Sequence, residues 1–122
     1  MSGGQQQPVS QQDATVAETI ASFLGNAGIP RVFGYPGDPN VELIEALRRA
    51  GIDFVLARRE GTAGFMAEAD GLLGSRPGVA VSTLGPGSTA LVNAVANAYL
   101  DRAPMLAISG QITAQLEGLF TH

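Results

Sequence analysis

Residues 52–83 read IDFVLARREGTAGFMAEADGLLGSRPGVAVST, and the fold class follows from this stretch. Ile52 to Ala57 is nearly all apolar, the pattern expected of a strand covered on both faces. Glu60 to Leu73 reads as a helix, and Gly74 ends it. Gly78 to Thr83 is a second short apolar run. Strand, helix and strand in that order make a crossover between parallel strands.

The same alternation extends outward on both sides. Toward the N-terminus, Asp38-Pro39 starts a helix with proline in its first turn, Val41, Ile44 and Leu47 give it an apolar face, and Gly51 stops it. Ile29 to Tyr35 is a strand centred on Val32 and Phe33. Thr15 and Glu18 have the spacing of a capping box, and Val16, Ile20, Phe23, Leu24 and Ala27 recur at helical spacing as far as Gly28. Toward the C-terminus, Ser88 to Leu100 reads as a helix and Met105 to Ser109 as a fourth strand. The order α-βα-βα-βα-β predicts an α/β fold, a three-layer α/β/α arrangement around a mainly parallel sheet with right-handed crossovers.

The ends read differently. Residues 1–13 are Gln- and Ser-rich, and a disordered tail is expected there, leaving 14–122 as the domain. Gly110 to His122 reads as a loop with at most one helical turn, and Leu116, Leu119 and Phe120 have little to pack against. The fourth strand would leave a flat apolar edge, which proteins normally cover or pair. A domain incomplete at its C-terminus, cut from a longer chain, is therefore expected; the alternative is a short subunit that pairs this edge with a partner.

Composition excludes several classes. All seven basic residues are Arg, unclustered, in a chain of net charge −4, so a nucleic-acid footprint is not expected. The chain has no cysteine and one histidine, His122, which rules out a disulfide framework and thiolate metal sites, and no metal ligands are assigned. No apolar run approaches the roughly 20 residues that span a bilayer, and the N-terminus lacks the parts of a signal peptide. A soluble cytoplasmic protein without membrane contact is the expectation.

In an open parallel sheet, ligands bind beyond the carboxyl ends of the strands. Four segments fall there: Gly34 to Gly37, Arg58 to Gly61, Thr83 to Gly87, and Gly110-Gln111. The two Gly/Pro loops enter helices, where backbone N–H groups can cradle an anion. Neither has the dinucleotide or P-loop spacing, and each read alone is a tight turn. Glu60 follows a strand directly and stands beside Gly61, Ala63, Gly64 and Ala67, small residues that let a flat ligand approach. Position alone fits equally a helix-start glutamate favoured by the macrodipole.

These segments, taken together and in order, resemble a known family. Val32-Phe33-Gly34-Tyr35-Pro36-Gly37, then Arg59-Glu60-Gly61-Thr62-Ala63-Gly64-Phe65-Met66-Ala67, Gly85-Pro86-Gly87, Ala98-Tyr99-Leu100-Asp101-Arg102-Ala103-Pro104 and Gly110-Gln111 are similar to the N-terminal, pyrimidine-binding domain of thiamine-diphosphate enzymes of the acetolactate synthase type. The resemblance implies a domain of a 2-oxo acid decarboxylase or carboligase, a lyase or transferase. Its Glu60 would be the catalytic carboxyl group that shares a proton with ring nitrogen N1′ of the cofactor. That makes the exocyclic amine basic enough to take the thiazolium C2 proton. It further implies cofactor contacts from Pro36, Gly37, Thr83, Gly85, Pro86 and Gln111.

Asp70-Gly71 and Asn97 imitate the spacing of the family's diphosphate-and-magnesium motif, but both lie on predicted helices, and Ala69 stands where that motif has glycine. The resemblance therefore puts Mg²⁺ on a diphosphate-binding domain absent from this chain and supplied by another subunit of a homo-oligomer. The isolated segment is expected to be inactive, and FAD in the full enzyme is left open. Two positions depart from the pattern: Ala90 where many relatives have Asn, and Arg59 where many have His. Two other readings stand beside this one, a separate small subunit like that of sulfopyruvate or phosphonopyruvate decarboxylases, and a non-catalytic flavodoxin-like binding module.

Overall fold

The computed structural model describes residues 13–119. Residues 1–12 of the expected tail, Phe120 and His122 lie outside the described residues. Four strands, β1 (Arg31–Gly34), β2 (Asp53–Leu56), β3 (Gly78–Ser82) and β4 (Met105–Ser109), form one sheet in the order β2-β1-β3-β4. All neighbouring pairs are parallel. Four helices, α1 (Val16–Asn26), α2 (Val41–Arg49), α3 (Glu60–Leu73) and α4 (Pro86–Leu100), cover it in two layers.

Local chemistry accounts for the helix ends. Thr15 Oγ1 accepts the Glu18 amide at 3.2 Å, and Glu18 Oε2 accepts the Thr15 amide at 2.9 Å, so the capping box forms in both directions. Gly28 and Gly51 take positive φ just past α1 and α2, as expected of C-terminal stops. Asp38-Pro39 opens a 3-10 turn (Asp38–Asn40) that leads into α2 instead of joining it. α4 starts two residues earlier than Ser88, because Pro86 occupies its first turn after Gly85.

Strand alternation divides the core in two. Val32, Val79 and Val81 pack with Leu24, Leu43 and Leu47 under α1 and α2. Phe33 and Ala80 pack with Ala63, Ala67 and Leu91 under α3 and α4. Burying a leucine such as Leu47 contributes about 1.5–3 kcal/mol relative to leaving it exposed. The second layer is built from small residues. A Cβ at Gly64 would lie 2.5 Å from Ala94 Cβ, so glycine there sets how closely α3 and α4 approach.

One strand differs from expectation. β2 is not covered on both faces: it is an edge strand, and Leu56 is 63% exposed. The strand buried along its whole length is β3. The reason is topological. α3 leaves β2, passes β1 and returns to the sheet at β3, so it packs over β1 and β3 rather than over the strand that launches it. β4 forms the opposite edge, as the sequence suggested.

Candidate cofactor-binding site

The strand order reverses direction at β1: the chain goes to one side for β2 and to the other for β3. At such a switch point ligands bind beyond the carboxyl ends of the strands. The loops concerned are those after β1, with Pro36 and Gly37, and after β3, with Thr83, Gly85 and Pro86. The structure brings both to one place. A Cβ on Gly37 would lie 2.5 Å from Thr83 Cγ2, so the first loop rests directly on the threonine of the second.

Asn40 shapes the first loop. It is buried, its Nδ2 donates to the Tyr35 carbonyl at 3.0 Å, and its Oδ1 accepts the Gly37 amide at 2.9 Å. The side chain thus pays the two polar groups of the Tyr35-Pro36-Gly37 turn that no strand neighbour serves. Gly85 shapes the second. Its φ of 58° and ψ of −118° place it in backbone space that side chains rarely enter, and a Cβ there would meet nothing within 4 Å. The loop therefore turns sharply while keeping an open side.

Glu60 is the first residue of α3 and is half-buried. Its carboxylate reaches across to the first turn of α4: a Cβ on Gly87 would lie 2.9 Å from Glu60 Oε1 and would also collide with Thr83 Oγ1. Gly87 is buried, and its missing side chain is what lets the carboxylate and the threonine hydroxyl share one face of the loop. Close by, a Cβ on Gly61 would lie 3.1 Å from the Ala90 carbonyl. The departure at residue 90 therefore sits beside the glutamate helix. Arg58 and Arg59 are both exposed at the mouth, and Arg59 is the extended residue that precedes α3.

The remaining residues fall in two groups. Pro36, Gly85 and Pro86 lie exposed on the crevice rim. Gln111 is exposed as well, and its Oε1 accepts the Ile112 amide at 3.1 Å, so its side chain folds onto its own backbone. The adjoining Gly110 does join the cluster, since a Cβ there would lie 3.2 Å from Pro39 Cβ. Sequence reasoning missed Asn40 and the two serines, Ser88 and Ser109, that bind the Thr83 carbonyl. The Asn40 signal was available, as an Asn shortly after a Gly-Pro turn.

The imitation metal motif comes apart. Asp70 pairs with Arg31 at 3.4 Å, at the start of β1 and hence at the opposite end of the sheet from the crevice. Asn97 Nδ2 donates to the buried Glu68 at 2.7 Å and ties α4 to α3. Among the described residues no group of acids or histidines could hold a metal ion. No helix among them is long and apolar enough to cross a membrane.

The crevice therefore offers one carboxylate, one threonine hydroxyl, walls of glycine and proline backbone, and no cation inside. A Cβ at Gly87 would collide with Thr83 Oγ1 and Glu60 Oε1, so glycine there is what lets both oxygens lie against the first turn of α4.

The family model described as thiamine pyrophosphate enzyme, N-terminal TPP binding domain, matches residues 14–122. The chain is 38% identical over 103 residues to an acetolactate synthase large subunit of Buchnera aphidicola, covering 84% of this chain and 18% of that protein. It is 40% identical over 105 residues to the acetolactate synthase isozyme 1 large subunit of Escherichia coli, covering 85% of this chain and 19% of that one. It is 39% identical over 99 residues to a probable 2-ketoarginine decarboxylase of Pseudomonas aeruginosa, covering 81% and 18%. The chain thus spans about a fifth of the length of these relatives.

Proposed function

Because the chain belongs to the thiamine pyrophosphate enzymes, as an N-terminal cofactor-binding domain of the kind found in acetolactate synthases, we propose that it activates thiamine diphosphate for chemistry on small 2-oxo acids, with Glu60 as the activating carboxyl group. When bound, the cofactor supplies an acidic thiazolium C2–H and an electron sink for decarboxylation or carboligation.

The residues of this chain do the rest. Glu60 holds a proton between its carboxyl group and ring nitrogen N1′. Gly85, Pro86 and Gly87 present flat backbone to the ring, and Thr83 backs that wall. The Pro36-Gly37 turn, held by Asn40, borders the exocyclic amine. Gln111, after the end of β4, lines the site from the rim.

The observation that carries this reading is the placement of Glu60 over Gly87, at the carboxyl end of the sheet and against the loop after β3. The diphosphate and its Mg²⁺ are assigned to a domain of another subunit in a homo-oligomer. The apolar outer sides of α3 and α4, with Leu73 90% and Tyr99 83% exposed, support that assignment. The isolated segment is expected to be inactive.

Glu60→Gln in the complete enzyme is the direct test. Turnover should fall by about 10²–10⁴-fold, the range for loss of a positioned proton-transfer group. Exchange of the C2 proton of bound cofactor, followed by NMR, should slow with it. Full turnover in this variant would remove Glu60 from the chemistry.

A further inference from the structure

We propose that Ser88 and Ser109 form a hydroxyl relay that positions Thr83, and through it the wall of the cofactor crevice; the inference rests on the thiamine diphosphate reading above. Ser109 ends β4, and Ser88 lies in the first turn of α4. Ser88 Oγ is 3.0 Å from the Thr83 carbonyl oxygen, and Ser109 Oγ is 3.3 Å from that same oxygen and 3.3 Å from the Gly110 carbonyl. The two hydroxyls also touch each other.

Proton counting orders these contacts. Each hydroxyl carries one proton and accepts through two lone pairs. Ser88 makes the shorter approach to the Thr83 carbonyl and is its donor. Its lone pairs are then free to accept, and Ser109 donates to Ser88 Oγ. The result is a chain, Ser109 to Ser88 to the Thr83 carbonyl, that joins the end of β4, the start of α4 and the loop after β3. Both serines open onto a groove between α4 and β4 whose other walls include Leu91, Val92 and Ala107. Ser109 is exposed on this groove, so each bond is worth the usual amount for a hydrogen bond within reach of water.

Thr83 transmits the constraint through its side chain, whose Cγ2 and Oγ1 occupy the space a Cβ would take at Gly37 and at Gly87. A shift of its backbone carries that side chain against these two turns, and Gly87 borders Glu60 Oε1. Ser88 and Ser109 are thus positioning residues: neither needs to touch the cofactor to affect how it is held.

The experiment uses the complete enzyme with Ser88→Ala, Ser109→Ala, the double variant and Ser88→Thr, which keeps a hydroxyl. Two quantities are read: the Kd for thiamine diphosphate in the presence of Mg²⁺, by calorimetry, and the C2 proton exchange rate of bound cofactor. Each alanine variant should raise Kd by about 2–10-fold, the worth of one hydrogen bond, and slow exchange. The double variant should lose no more than Ser88→Ala alone, since Ser109 gives its one proton to Ser88 and bears on Thr83 through it. Ser88→Thr should return both quantities to within about twofold of the parent, as expected when the hydrogen bond is kept. Unchanged Kd and exchange in both alanine variants, multiplicative losses in the double variant, or no rescue by threonine would each overturn the relay. Glu60→Gln run alongside separates the two ideas. If it abolishes exchange while the serine variants do nothing, only the relay falls; if exchange survives it, the reading of the site and the relay fall together.

Discussion

The two helical layers of this domain are finished to different degrees. α1 and α2 bury Leu24, Leu43 and Leu47 and turn charge outward, where Glu45 is bridged by Arg48 at 2.8 Å and Arg49 at 3.0 Å. Their large exposed apolar residues are few: Val16, Phe23 and Val41. α3 and α4 meet each other through Gly64, Ala94 and other small residues, yet their outer sides carry Phe65, Leu72, Leu73, Val92, Tyr99 and Leu100 in the open. Helices apolar all round are normally covered. The layer that carries Glu60 is also the layer with the more apolar outer side. The first layer is the more polar on its outer side.

The strongest way to break this division is a cavity in the finished layer. Leu47 is fully buried, and Leu47→Ala should cost about 2–5 kcal/mol in chemical denaturation. Where the variant remains folded, cofactor affinity should match the parent, and a weakened Kd would show that the layers are not separate. The converse change is Gly64→Ala. Its Cβ would press on Ala94, and prying α3 from α4 should cost about 1–3 kcal/mol. Glu60 lies one turn away on the same helix, so here Kd should rise along with the loss of stability.

Smaller effects sharpen the contrast. Tyr99→Glu should change the domain's own stability by no more than about 0.5 kcal/mol, the usual range for an exposed site. It should nonetheless shift the complete enzyme toward smaller species in sedimentation. An unchanged assembly would show that this side of α4 stays in solvent.

The smallest effect belongs to Glu45. Hydrogen bonds from Arg48 and then Arg49 lower its carboxyl pKa from 4.5 to about 2. A lowered folded-state pKa contributes stability above the unfolded value that is lost as pH falls from about 4.5 toward 2. An NMR titration should find that midpoint, and salt should move it back up, because the pair is exposed. Cofactor binding should not respond to Glu45→Gln.

Most of the architecture could be read along the chain, because it is written in short-range chemistry. The Thr15–Glu18 box, the stops at Gly28 and Gly51, and the bounds of the helix at Glu60–Leu73 and the strand at Met105–Ser109 stand where spacing and turn residues put them. The crevice was legible as a set of loops at strand ends, and family resemblance singled out Glu60 among them. What could not be read was which loops would touch. The apolar run at β2 looked central and lies at an edge, since apolarity reports burial of side chains and not the order in which strands pair.

The sequence by itself determined the kinds of elements, their order and the residues able to do chemistry, because helix caps, turns and apolar spacing act within a few residues of one another. Tertiary structure alone decided that β1 and β3 lie side by side, that Thr83 is wedged between Gly37 and Gly87, and that the Glu60 carboxylate lies over a glycine from the next crossover. Those contacts join segments far apart in the chain. They exist only once the crossover helices have packed and set the strand order, and no local pattern encodes that.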